Sequence, residues 1–148
     1  MSIERTIIGD GLAISRIITG MWQIADLERD GKKIDSNGAA AEMNAYAQAG
    51  LDTFDMADHY GSAEEIAGAF VQGYPETRKT LMTKWVPDPA KVSKQATHEA
   101  VTRALKRMRI EQLPMLQFHA WQYSNPNWLD CLWWLEEIRQ EGLIVNIG

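Results

Sequence analysis

Four side chains in this sequence have the types and spacing to move a proton: Asp55, Tyr60, Lys84 and His119. A phenol works as a general acid near neutral pH only when something stabilises the phenolate it leaves behind. A lysine ammonium about 4 Å away, at an effective dielectric of about 20, favours that phenolate by roughly 4 kcal/mol. An aspartate would keep the lysine charged and in place, and a histidine could orient a carbonyl oxygen between itself and the tyrosine. Such a set can protonate an oxygen but contains no nucleophile. A hydride carrier would supply one.

The elements that must bring these residues together are legible from periodicity. Thr53 and Asp55 alternate with Phe54 and Met56, so Leu51 to Ala57 reads as a strand, following a helix that Gly50 ends. Apolar residues on both faces suggest a parallel strand buried beneath helices. Asp55 then lies at the strand's C-terminal end, and Tyr60 on the turn before a helix that begins at Ser62. Lys84 shares a face with Met82 in the strand Thr80 to Val86. His119 shares one with Met115 and Gln117 in the strand Leu113 to Ala120. In a barrel these three C-terminal ends meet on one rim, with neighbouring strands about 5 Å apart.

The rest of the chain supports that arrangement. Arg5 to Ser15 reads as a hairpin turning at Gly9-Asp10-Gly11, and Arg16 to Ile24 as the first core strand. Asp26 to Asp35 is a charged loop. Asn37 to Ala49 is expected to be a helix with Ala39, Met43 and Tyr46 on its apolar face. Ser62-Ala63-Glu64-Glu65 has the form of a capping box, opening a helix to about Gly73. Ser93 caps a third helix with the stripe Val101, Leu105 and Met108. Its basic run, Arg103, Lys106, Arg107 and Arg109, reads as a solvated helix end rather than a phosphate site. Asn125-Pro126 opens a fourth helix carrying Trp128, Cys131, Leu132, Leu135 and Ile138, and Leu143 to Ile147 is a fifth strand after Gly142. Trp128, Trp133 and Trp134 are expected to pack against neighbouring elements.

Strand–helix alternation of this kind makes the chain α/β, one domain over residues 1–148. A net charge of -5 with no basic arm argues against nucleic acid. No uncharged stretch is long enough to span a bilayer, and Glu4, Arg5 and Asp10 break up any signal-peptide pattern. The single cysteine, Cys131, excludes an internal disulfide and fits a cytoplasmic location. Asp55, Asp58, His59 and His119 would also suit a metal site, but a lysine ammonium among them opposes a dication, so no metal is expected.

The segment Phe54-Asp55-Met56-Ala57-Asp58-His59-Tyr60-Gly61 resembles the aldo-keto reductase signature around its catalytic aspartate and tyrosine. Thr83-Lys84-Trp85 is similar to the segment carrying that family's lysine, and Leu116-Gln117-Phe118-His119 to the strand carrying its histidine. Glu141 to Gly148 looks like the start of its fifth strand. The resemblance implies a (β/α)8 barrel of the TIM type, of which this chain supplies the N-terminal hairpin, about four β/α units and strand five. It implies reduction of a small aldehyde or ketone, with Tyr60 as general acid, Lys84 easing its proton release, Asp55 anchoring Lys84 and His119 orienting the carbonyl. It further implies NADPH, or alternatively NADH, as cofactor beside Gly20, Met21, Trp22 and Asp55, and a substrate pocket walled by Trp22, Trp85 and Trp121. Met56 stands where the family usually has a small or hydroxyl residue; by parity it faces outward.

A barrel of this kind needs about 250 residues. The chain is therefore expected to act as half of a barrel, completed by a missing C-terminal half or by self-association. The alternative expectation is a binding or regulatory module without catalysis of its own.

Overall fold

The computed structural model describes residues 3–25 and 34–148, so most of the charged loop expected at 26–35 lies outside the described residues. The chain begins with an antiparallel hairpin of β1 (Arg5–Ile8) and β2 (Leu12–Ser15), pairing Arg5 with Ser15 and Ile8 with Leu12. Then follow β3 (Thr19–Gly20), α1 (Ser36–Gln48), β4 (Thr53–Asp55), α2 (Ala63–Gly73), β5 (Thr80–Trp85), α3 (Lys94–Met108), β6 (Leu113–Phe118), α4 (Trp128–Gln140) and β7 (Ile144–Ile147). Strands β3 to β7 form one parallel sheet in sequence order. This is the succession of a TIM barrel, of which the chain forms an arc.

The core lies between the sheet and its helices. Phe54 and Met56 on one side of β4, with Ile66 and Phe70 of α2, Val101 and Met108 of α3, and Cys131, Leu135 and Ile138 of α4, are almost wholly buried. The opposite face of the sheet carries a row in register: Gly20, Asp55, Met82, Met115 and Asn146. The next pair along that face is Lys84 and Gln117. Strand parity thus holds Asp55 and Lys84 one layer apart on adjacent strands.

The hairpin closes the N-terminal end of the sheet. Arg5 Nη1 donates to both carboxylate oxygens of the buried Asp52, at 2.7 and 2.8 Å. The Ser15 N–H donates to Thr53 Oγ1 at 2.9 Å. At the far edge the Asp10 N–H donates to Asn146 Oδ1 at 2.7 Å, while Asn146 Nδ2 donates to the Pro114 carbonyl at 3.0 Å. The hairpin therefore ties the start of β4 to β7.

Several local expectations need correction. The first core strand is two residues long, not the span 16–24: Ile17 and Ile18 are exposed, and only Thr19 and Gly20 pair with β4. Tyr46 points to solvent while Ala39, Ala40, Met43 and Ala47 make the buried face of α1. Ser62 does not cap α2 through its side chain, because its backbone (φ -87°, ψ 9°) lies outside the extended region a capping residue adopts. Trp133 is among the most exposed side chains. Helix α4 begins at Trp128, since Asn125 Oδ1 accepts from the Asn127 N–H at 3.1 Å and holds a turn there instead. The Ser93 cap is present, its Oγ accepting from the Ala96 N–H at 3.0 Å.

Candidate active site

The C-terminal rim is built by extending the β4–β5 ladder past Asp55. The Met56 N–H donates to the Met82 carbonyl and the Asp58 N–H to the Lys84 carbonyl, each at 2.9 Å. The chain then turns: the Tyr60 N–H donates to the Ala57 carbonyl at 3.0 Å, and the Ala63 N–H to the Tyr60 carbonyl at 3.0 Å, leading directly into α2. Tyr60 is thereby set over the ends of β4 and β5.

Lys84 Nζ donates to Asp55 Oδ2 at 2.5 Å and to the Met56 carbonyl at 2.9 Å. The same ammonium stands 5.2 Å from the centre of the Tyr60 ring. Asp55 Oδ1 accepts from Gln117 Nε2 at 2.7 Å. With side-chain exposures of 16% for Lys84 and 27% for Asp55, the pair is shielded from bulk water without being sealed from it. The two contacts hold the ammonium at the ends of β4 and β5.

Aromatic rings wall the rim. Trp22 meets Tyr60 edge-on at 4.8 Å, and His59 meets Tyr60 at 4.9 Å and Trp121 at 6.3 Å. His119 lies stacked on Trp121, with centroids 5.2 Å apart and planes 4° from parallel, and its backbone N–H donates to the Trp85 carbonyl at 2.9 Å. The structure thus brings Asp55, Lys84 and Tyr60 into one cluster and puts His119 on the same rim, beyond His59 and Trp121.

Two of the expected side chains point elsewhere. Trp85 follows Lys84 in β5, so its indole faces the helices; it is buried against Phe118 and does not wall the rim. Met21 is wholly buried in the core, leaving only its backbone beside Asp55, whose carbonyl accepts from the Met21 N–H at 2.9 Å. Gly20 and Trp22 do face the site: Trp22 is 36% exposed, and nothing lies within 4 Å of where a Cβ on Gly20 would stand. That open space in register with Asp55 suits a sugar or ring approaching the strand ends closely.

Sequence reasoning gave no role to Gln117 or to the buried carboxylate of Glu64. Gln117 shares the parity of His119, which could have marked it. Glu64 hides inside an acidic pair at a helix start. Burial pushes its carboxyl above the ordinary range, although hydrogen bonds from Thr83 and Arg107 act the other way. Among the described residues no group of three or more histidine, cysteine, aspartate or glutamate side chains is placed to hold a metal ion.

The sequence profile described as the Aldo/keto reductase family matches residues 16–148. The chain belongs to that family. It is 26% identical over 123 residues to aflatoxin B1 aldehyde reductase member 2 of Rattus norvegicus, a match covering 80% of this chain and 33% of that protein. It is 34% identical over 85 residues to a 6-dehydroglucose reductase of Agrobacterium fabrum, covering 53% of this chain and 26% of that one. The chain thus spans a third or less of these aldo/keto reductases. The crystal structure of a Bombyx mori aldo-keto reductase in complex with NADP superposes with a TM-score of 0.74 at 18% identity, covering all of this chain and 50% of that one. At that identity the likeness speaks for the fold alone. Among the described residues no helix is long and apolar enough to cross a membrane.

Proposed function

We propose that this chain carries the proton-donating and carbonyl-orienting residues for reduction of an aldehyde or ketone to an alcohol, within a complete barrel. The observation that carries the reading is Lys84, bound to Asp55 at 2.5 Å while standing 5.2 Å from the Tyr60 ring centre. Tyr60 donates its phenolic proton to the carbonyl oxygen, and the Lys84 ammonium stabilises the phenolate that remains. Asp55 and Gln117 fix the ammonium. His119, held by its stacking on Trp121, orients the carbonyl from the other side, while Trp22 and Trp121 flank the approach to the reacting oxygen.

A reduced nicotinamide would supply the hydride. Gly20, the Met21 backbone, Trp22 and the Asp55 carboxylate are the residues of this chain that would hold it, and the open space over Gly20 fits that role. On the chain's membership of the family, we take NADPH as that carrier, with NADH the alternative. The buried, unpaired Cys131 suits a reducing cytoplasm.

A second reading, a half-barrel that binds without turning over, draws support from the described sheet itself. Among the described residues its first strand, β3, pairs with β4 alone, and an open edge invites another chain or segment. One assay separates the two: NADPH consumption with a small aldehyde, by the completed barrel and by its Tyr60→Phe variant. Turnover that falls at least about a hundredfold in Tyr60→Phe supports the first reading. No turnover by either chain, with aldehyde still bound, supports the second. Equal turnover by both would exclude Tyr60 as the proton donor.

A further inference from the structure

On the helix-facing side of the sheet lies a polar cluster that the proton-donating set does not use. Glu64, 1% exposed, accepts from Thr83 Oγ1 at 2.8 Å through Oε1 and from Arg107 Nη1 at 3.2 Å through Oε2. Arg107 Nε also lies 3.5 Å from Glu65 Oε1. The same Nη1 of Arg107 donates to the Asp58 carbonyl at 3.3 Å. Burying a carboxylate this deeply is costly unless its partners are held in place.

The connections form a closed circuit. Thr83 precedes Lys84 in β5, and the Lys84 carbonyl accepts from the Asp58 N–H at 2.9 Å. Asp58 is therefore gripped at both ends of its backbone, by β5 on one side and by Arg107 on the other, and it stands two residues before Tyr60. The backbone of Arg107 is itself fixed, since α2 and α3 approach so closely at Gly68 that a Cβ there would collide with the Arg107 carbonyl oxygen. A fork with several rigid donors suits this task in a way a single ammonium does not.

We propose that Arg107 is a positioning residue: aimed by the buried Glu64, it clamps the Asp58 carbonyl and so sets the Tyr60 ring against Trp22 and over Lys84. The inference rests on the reading of Tyr60 as proton donor for its purpose, but its test reads the ring directly. In the full 148-residue chain with isotope-labelled aromatic residues, nuclear Overhauser contacts between the Tyr60 and Trp22 rings report the position, their centroids being 4.8 Å apart. The Tyr74–Phe70 contact at 5.9 Å, at the far end of α2, serves as the control.

Arg107→Met is expected to cut the Tyr60–Trp22 cross-peak by at least half and leave Tyr74–Phe70 unchanged. Arg107→Lys, which keeps a charge for Glu64 but loses the fork, should fall between wild type and Arg107→Met. Should Arg107→Met fail to fold, Arg107→Lys decides alone. Full cross-peak intensity in the folded variants would overturn the proposal, and so would an equal loss at Tyr74–Phe70, which would make the pair general packing. Turnover by Tyr60→Phe tests the proton-donor reading separately and does not alter this outcome.

Discussion

Gln117 reaches past β5 to Asp55: its Nε2 donates to Asp55 Oδ1 at 2.7 Å from β6, two strands away. The intervening strand supplies Lys84, which takes the other oxygen, Oδ2. The carboxylate is thus shared between a charged and a neutral partner, and the two should not be equivalent. Lys84→Met leaves a largely shielded carboxylate with one neutral donor. We expect it to reduce turnover at least about a hundredfold and to cost roughly 2 kcal/mol or more of stability. Gln117→Leu leaves the ion pair intact and should cost about 1–2 kcal/mol while retaining most of kcat. Urea denaturation and steady-state kinetics on both variants check the ordering. Equal losses would mean that the ion pair has no privileged role.

The stacking of His119 on Trp121 predicts a modest and specific effect. Such ring pairs are worth about 0.5–1.5 kcal/mol beyond the area they bury. Trp121→Ala should therefore lower kcat/KM roughly two- to tenfold by loosening His119, while Trp121→Phe, which keeps a ring to stack on, recovers most of it. A loss beyond about a hundredfold would show that the indole contacts substrate itself.

Glu64 gives a pH dependence whose sign is fixed. Burial raises its pKa above the ordinary value of 4.5, so the folded chain holds this proton more tightly than the unfolded chain does. Its contribution to stability is thus fully present below pH 4.5 and is lost as pH rises through the raised value. Compared with Glu64→Gln, wild type should lose stability over that window and run parallel above it, measured by denaturant midpoints at a series of pH values. A difference that grows in favour of wild type as pH rises would show that Arg107 outweighs burial.

How far the site could be read from the sequence depended on the range of the interaction. Asp55, Lys84 and Gln117 lie where strand parity puts them, because alternation is a local property and parallel register carries it across neighbouring strands. Trp85 shows what happens when a family resemblance overrides that rule: adjacent to Lys84 in a strand, it had to face the other way, and it does. The span 16–24 looked like a strand from its β-branched residues, yet Ile17 and Ile18 are exposed, and pairing with β4 starts only at Thr19. The Glu64–Arg107 clamp was hidden for another reason. Its partners are 43 residues apart, and no periodicity links the start of one helix to the end of the next.

The hairpin offers the last prediction, because Gly9 and Asn146 occupy the same corner. Gly9 has a φ of +51°, and a Cβ placed there would overlap Asn146 Oδ1, the atom that also accepts from the Asp10 N–H. Gly9→Ala therefore carries two penalties: the left-handed backbone conformation, about 1 kcal/mol for a residue with a Cβ, and displacement of a buried side chain with two hydrogen bonds. Together they should cost about 2–4 kcal/mol. The terms can be separated. In an Asn146→Ala background the collision is gone, and Gly9→Ala should cost only the backbone term, about 1 kcal/mol. A double-mutant cycle by urea denaturation measures the difference. An interaction energy near zero would mean that Asn146 gives way freely and that the hairpin is not locked to β7 through this corner.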